Sequence, residues 1–114
     1  MDIQTIGIVG AGQMGNGIAH VMALAGYDVL LNDVSAEALQ KAVDTITGNL
    51  DRQVGRGKVT EADRDATLKR IVTTQTLEEL GQSDLVIEAA TERETVKQAI
   101  FEDLIPHLKP TTIL

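Results

Sequence analysis

Gly10-Ala11-Gly12-Gln13-Met14-Gly15 is the hexapeptide from which the rest of the sequence is read. As a bare pattern, G-x-G-x-x-G carries little weight, because glycine-rich turns produce it by chance. Its flanks give it meaning. Thr5-Ile6-Gly7-Ile8-Val9 precedes it as a short apolar run, read as a buried strand. From Gln13 to Ala25 the residues Met14, Ile18, Val21, Met22 and Ala25 recur at three- and four-residue spacing, predicting one apolar face of a helix. Gly26 follows, where a left-handed C′ residue ends a helix cheaply. Asp28-Val29-Leu30-Leu31-Asn32-Asp33 reads as a second strand, its continuous apolar centre suiting a parallel strand buried on both faces.

In that context each glycine has a task. Gly10 permits the tight turn, Gly12 lets a pyrophosphate approach the backbone, and Gly15 lets the helix pack closely on the strand. The free amides across Ala11, Gln13 and Met14, at the positive end of the helix dipole, suit a diphosphate. Asp33 closes the second strand, where a carboxylate can accept hydrogen bonds from the adenosine ribose. It would repel a 2′-phosphate, and Val34, Ser35 and Ala36 offer no Arg to receive one, so NAD is favoured over NADP. Asp33 reads also as an Asx turn before the next helix.

Ser35 caps a long predicted helix whose apolar positions run from Ala38 to Val54, toward Gly55-Arg56-Gly57. Thr60, with Asp63 three residues on, starts another that ends near Lys69. A helical hairpin therefore stands where an ordinary crossover carries one helix. Ile71-Val72-Thr73-Thr74 is a third strand, Leu77 to Leu80 a helical turn ended by Gly81, and Asp84 to Glu88 a fourth strand. Glu94 to Leu104 is a further helix, and Thr111 to Leu114 a fifth strand without turn or cap after it. The alternation predicts an α/β fold: a doubly wound parallel Rossmann sheet of order 3-2-1-4-5, sixth strand absent, in one dinucleotide-binding domain over residues 1–114. At the switch point, Ala89 and Ala90 would leave room for a nicotinamide ribose. Glu92 and Lys97 read by chemistry alone as a solvent-facing ion pair.

Ten basic against 17 acidic residues give a net charge of −7 over 114 residues, which argues against nucleic-acid and anionic-membrane partners. There are no cysteines, hence no disulfides or thiolate metal sites. No apolar run approaches the ~18 residues of a membrane helix, and Met1-Asp2-Ile3-Gln4 carries no basic leader. A cytoplasmic location is expected. No His/Asp/Glu spacing suggests a metal site.

Taken together, G-A-G-Q-M-G-N-G-I-A-H, N-D-V-S and V-I-E-A-A-T-E-R-E-T-V-K-Q-A-I-F resemble the NAD-binding domain of the 3-hydroxyacyl-CoA dehydrogenases, among them the bacterial 3-hydroxybutyryl-CoA dehydrogenases. The resemblance runs from Ile6 to Leu114 and includes the helical hairpin. It implies an oxidoreductase of fatty-acid and butanoate metabolism that interconverts 3-hydroxyacyl-CoA and 3-ketoacyl-CoA with NAD. By matching position it implies pyrophosphate contacts at Gly10, Gly12 and Gly15, and a ribose contact at Asp33. Glu92 and Lys97 would lie on the nicotinamide side, and Asn49 and Arg56 at the CoA. Arg56 reads equally as an exposed turn residue. The family's catalytic histidine, its glutamate partner and its carbonyl-orienting serine and asparagine lie beyond the point where this sequence stops. No catalytic residue is therefore assigned. The expectations are a truncated domain, inactive alone, from a homo-oligomeric parent, with an incomplete sheet that favours self-association. The rival readings are a stand-alone NAD-binding module and a related dehydrogenase acting on a free acid, the second disfavoured by the hairpin.

Overall fold

The structure, a computed structural model, describes residues 3–89 and 105–107. Strands β1 (Thr5–Val9), β2 (Asp28–Asn32), β3 (Ile71–Thr74) and β4 (Leu85–Glu88) form one parallel sheet in the order β3-β2-β1-β4. Ile6 lies opposite Val29 on one side and Leu85 on the other, so β1 is central among the described strands. This is the expected order as far as β4. The predicted helix at 94–104 and fifth strand at 111–114 lie outside the described residues.

Side chains alternate across β1 and build a core on each face. Ile6 and Ile8 join Val29, Leu31, Ala19, Ala23, Leu39, Ala42, Ile46 and Leu50 on the face covered by helices. Val9 joins Val86 and Leu80 on the other, covered by a 3₁₀ segment, Leu77–Gln82. The helices are α1 (Gln13–Leu24), α2 (Ala36–Gly55) and α3 (Glu61–Arg70). Helices α2 and α3 form the predicted hairpin. Its starts are capped as expected: Ser35 Oγ accepts from the Ala38 amide and Thr60 Oγ1 from the Asp63 amide, each at 3.1 Å. Each cap contributes about 1 kcal/mol. Its ends are tied as well. The Gly57 amide donates to Val54 O and the Lys58 amide to Gln53 O, the double closure that a left-handed glycine permits. Gly26 closes α1 in the same way. Two side chains then fasten the hairpin to α1. His20 Nε2 meets Gln53 Oε1 at 3.0 Å, and Arg70 Nη1 donates to Ala23 O at 2.8 Å.

Two expectations are corrected. The face of α1 against the sheet consists of Gly15, Ala19 and Ala23. Met14 and Val21 of the predicted face are 53% and 62% exposed, and Ala25 is exposed too. A helix that lies close on a strand needs small side chains there, and these give a weak hydropathy signal. Of the large residues that set the visible period, Ile18 and Met22 are half-buried and pack against the core, while Met14 and Val21 point away from it. Gly81, in turn, does not end the 3₁₀ segment, which continues to Gln82. A Cβ there would stand 2.5 Å from the carbonyl oxygen of His107. Close approach of a second 3₁₀ turn, Ile105–His107, is what requires the glycine. No helix among the described residues is long and apolar enough to cross a membrane.

Candidate functional site

The chain leaves β1 through Gly10, whose φ of 105° few other residues adopt. Its amide donates to Asn32 O at 2.7 Å, which holds the start of the loop against the end of β2. Ala11 is buried, Gly12 is the N-cap of α1, and Gln13 and Met14 are exposed in its first turn. A Cβ on Gly15 would overlap the carbonyl oxygen of Gly10. Gly15 is thus demanded by the chain's own packing.

Gly12 is different. Its φ of −70° and ψ of −166° are open to any residue, and a Cβ there would meet none of the described residues within 4 Å. Among the described residues nothing calls for glycine at this position. A ligand drawn up to the backbone does. The helix start behind it points the same way. α2 and α3 begin with side-chain caps and acidic first turns (Glu37; Glu61 and Asp63). α1 has no side-chain cap and no acid in its first turn. Its orphan amides and positive dipole end are left to an anion. These features fit the diphosphate of a dinucleotide.

Asp33 follows β2 directly. Its Oδ2 accepts from the Ala11 amide at 3.0 Å and its Oδ1 from the Ser35 amide at 2.9 Å. The Asx turn is therefore present, together with a contact to the glycine loop that the sequence did not reveal. A carboxylate oxygen carries two lone pairs, so acceptor capacity for ribose hydroxyls remains. Two grooves flank the loop. One, of about 180 Å³, lies among Val9, Gly10, Asn32, Asp33, Val34 and Leu77, and its wall is mostly apolar, as an adenine requires. The other, of about 460 Å³, lies between Gly12, Gln13 and Asn16 and the Lys41 and Thr45 side of α2. A larger groove of about 550 Å³ beside β3, lined by Leu39, Val43, Thr73 and Glu79, contains none of the expected site residues.

The structure thus brings Gly10, Ala11, Gly12, Gln13, Met14, Gly15 and Asp33 together. Ala89 joins them at the crevice, its amide donating to Val9 O at 2.8 Å. Ala90, Glu92 and Lys97 lie outside the described residues. Asn49 and Arg56 stand apart from the loop on the far half of α2, about two turns from each other on one face. Asn49 Oδ1 accepts from Arg52, and Arg56 is exposed at the C-cap. Val34, Leu77, Lys41 and Thr45 line the grooves without having been singled out. Val34 alone had a signal, an apolar residue directly after the acid, and it is 86% exposed. Neither histidine belongs to the crevice: His20 is held by Gln53, and His107 is exposed in the second 3₁₀ turn. No group of metal-ligating side chains occurs among the described residues.

A parallel sheet crossed by a glycine loop into an uncapped helix, with an acid on the next strand end, defines a Rossmann-class dinucleotide-binding domain. Comparison with known proteins makes this specific. The family described as "3-hydroxyacyl-CoA dehydrogenase, NAD binding domain" matches residues 5–114. A 3-hydroxybutyryl-CoA dehydrogenase of Bradyrhizobium diazoefficiens is 54% identical over 112 residues, 98% of this chain and 38% of that protein. A 3-hydroxyadipyl-CoA dehydrogenase of Escherichia coli is 46% identical over 114 residues, all of this chain and 24% of that protein. The crystal structure of an (S)-3-hydroxybutyryl-CoA dehydrogenase from Ralstonia eutropha superposes with a TM-score of 0.94 at 42% identity, over 98% of this chain and 40% of that one. The chain belongs to the 3-hydroxyacyl-CoA dehydrogenase family, as its NAD-binding domain, and spans well under half the length of these relatives.

Proposed function

We propose that this chain holds the NAD of an oxidoreductase that interconverts 3-hydroxyacyl-CoA, of the 3-hydroxybutyryl-CoA kind, and the corresponding 3-ketoacyl-CoA, acetoacetyl-CoA. The observation that carries the reading is the pairing of bare Gly12 with an α1 N-terminus that has neither cap nor acid. NAD, when bound, accepts or returns the hydride at the substrate's C3. The chain's own part is to bind and orient. First-turn amides from Gly12 to Gly15 hold the diphosphate, and Asp33 accepts from the adenosine ribose. The mostly apolar groove beside Val34 takes the adenine. Ala89 leaves space toward the nicotinamide, with Ala90, Glu92 and Lys97 assigned to that side by family position. Asn49 and Arg56 are assigned to the CoA on the same ground.

None of the described residues supplies a proton relay at the crevice, since His20 is bound to Gln53 and no carboxylate–histidine pair faces the loop. The 114-residue chain by itself is expected to bind NAD without turning substrate over. Homo-oligomeric assembly, self-association of the chain and a cytoplasmic location belong to the same reading and rest on the sequence alone. The test is a spectrophotometric assay of the purified chain with NADH and acetoacetyl-CoA. No oxidation above the substrate-free rate is expected. Steady oxidation dependent on acetoacetyl-CoA would contradict the division of labour proposed here.

A further inference from the structure

We infer that Asp33 is a positioning residue for the diphosphate loop as well as a ribose acceptor, so that the two halves of the dinucleotide site are coupled through one carboxylate. The inference rests on the NAD reading above and adds a role that ribose binding does not require. Two successive amides of the loop are fastened to the end of β2. Gly10 donates to the main-chain oxygen of Asn32 at 2.7 Å, and Ala11 donates to Asp33 Oδ2 at 3.0 Å. The first bond fixes where the loop starts. The second fixes the Gly10–Ala11 peptide, one residue before Gly12, on which the ligand closes. Asp33 is itself held from both sides. Its amide donates to Thr74 O at 3.1 Å, and its Oδ1 accepts from Ser35 at 2.9 Å. The loop is therefore set by the sheet before any ligand arrives. Hydrogen bonds to an ionised acceptor are the stronger kind.

The chemistry allows no simple replacement. Asn at position 33 has one oxygen, so either the Ala11 or the Ser35 N–H would face an NH₂ group, donor against donor. Ser would keep the short turn to Ser35, but its Oγ would not reach Ala11. A substitution made to admit a 2′-phosphate therefore also releases the diphosphate loop. Loss of NAD binding is expected without an equal gain in NADP binding.

The separating probe is inorganic pyrophosphate, which fills the loop and does not touch a ribose acceptor. By charge alone, removing an anion beside an anion site tightens pyrophosphate binding. By positioning, it weakens binding. The experiment is a nuclear magnetic resonance titration of the full chain and of the Asp33→Asn and Asp33→Ser variants, with pyrophosphate and, separately, with adenosine. Slow exchange of the Ile8 and Leu31 amides reports that each variant is folded. The expected result is pyrophosphate affinity about tenfold lower in both variants, the equivalent of one charge-assisted hydrogen bond. The Ala11 amide should also exchange with solvent about tenfold faster in the ligand-free variants, while the Ile8 amide is unchanged. Equal or tighter pyrophosphate binding in a folded variant, with adenosine binding alone reduced, overturns the positioning role and leaves the NAD site intact. No pyrophosphate or adenosine binding to the unaltered chain overturns the NAD site itself, and this inference with it.

Discussion

Gly15 lies so close to Gly10 that a Cβ on it would overlap the Gly10 carbonyl oxygen and stand 2.9 Å from the carbonyl carbon. The first turn of α1 and the end of β1 are thereby locked together at the van der Waals limit. Gly15→Ala must push them apart, a backbone displacement and not a side-chain adjustment. A loss of about 3 kcal/mol in unfolding free energy is expected from urea melts, together with loss of NAD binding. A variant within about 0.5 kcal/mol of the unaltered chain would show that the contact is softer than the structure has it.

Gly12 makes the opposite prediction from three residues away in the motif. Its backbone angles suit any residue, and none of the described residues lies in its Cβ direction. Serine is a better N-cap than glycine, so Gly12→Ser should hold stability or raise it by a few tenths of a kcal/mol. The same side chain stands where the diphosphate must approach, so NAD affinity should fall at least about tenfold. Calorimetric unfolding and NADH fluorescence titration on one preparation check both signs. A variant that binds NADH as tightly as the unaltered chain would place the ligand elsewhere.

On the proposed reading, Asp33 puts a carboxylate where NADP would carry its 2′-phosphate. Its neighbours Val34, Ser35 and Ala36 bring no positive charge to offset it. NADPH should bind at least about tenfold more weakly than NADH, the repulsion amounting to about 1.4 kcal/mol or more at close range. Parallel fluorescence titrations at low salt decide the matter, and equal affinities would remove Asp33 from the ribose site.

Asn32 is 3% exposed, and its Nδ2 finds no hydrogen-bond partner among the described residues. A buried donor left unpaired costs about 1–3 kcal/mol. Asn32→Leu, which keeps the branched heavy-atom skeleton and has the groove beside Val9 and Val34 to take its extra bulk, should therefore raise the unfolding free energy by about 1 kcal/mol. Denaturant melts test this, and a destabilised variant would mean that the carboxamide is satisfied in solution.

Much of this was legible before the structure. β1 and β2 announced themselves because parallel strands buried on both faces need continuous apolar centres. The hairpin was readable because Ser35 and Thr60 are local signals, each reaching an amide three residues on. The inner face of α1 was only partly so: Ile18 and Met22 of the expected face pack against the core, but its fully buried positions are Gly15, Ala19 and Ala23, which hydropathy scarcely registers. The bond from Ala11 to Asp33 joins residues 22 apart in sequence. It exists only once β1 and β2 lie side by side, and no spacing rule anticipates it. Lys41 and Thr45 escaped for a related reason: their place beside Gly12 depends on how α2 leans across α1.

The central claim is that the glycine loop and Asp33 form the NAD site, and residue-resolved nuclear magnetic resonance titration of the 114-residue chain with NAD tests it most directly. The prediction is saturable shifts at the amides of Gly10 to Gly15, Asp33 and Ser35, with the groove between Leu39 and Glu79 beside β3 unmoved. Shifts confined to that groove, or none at millimolar NAD, would contradict the account.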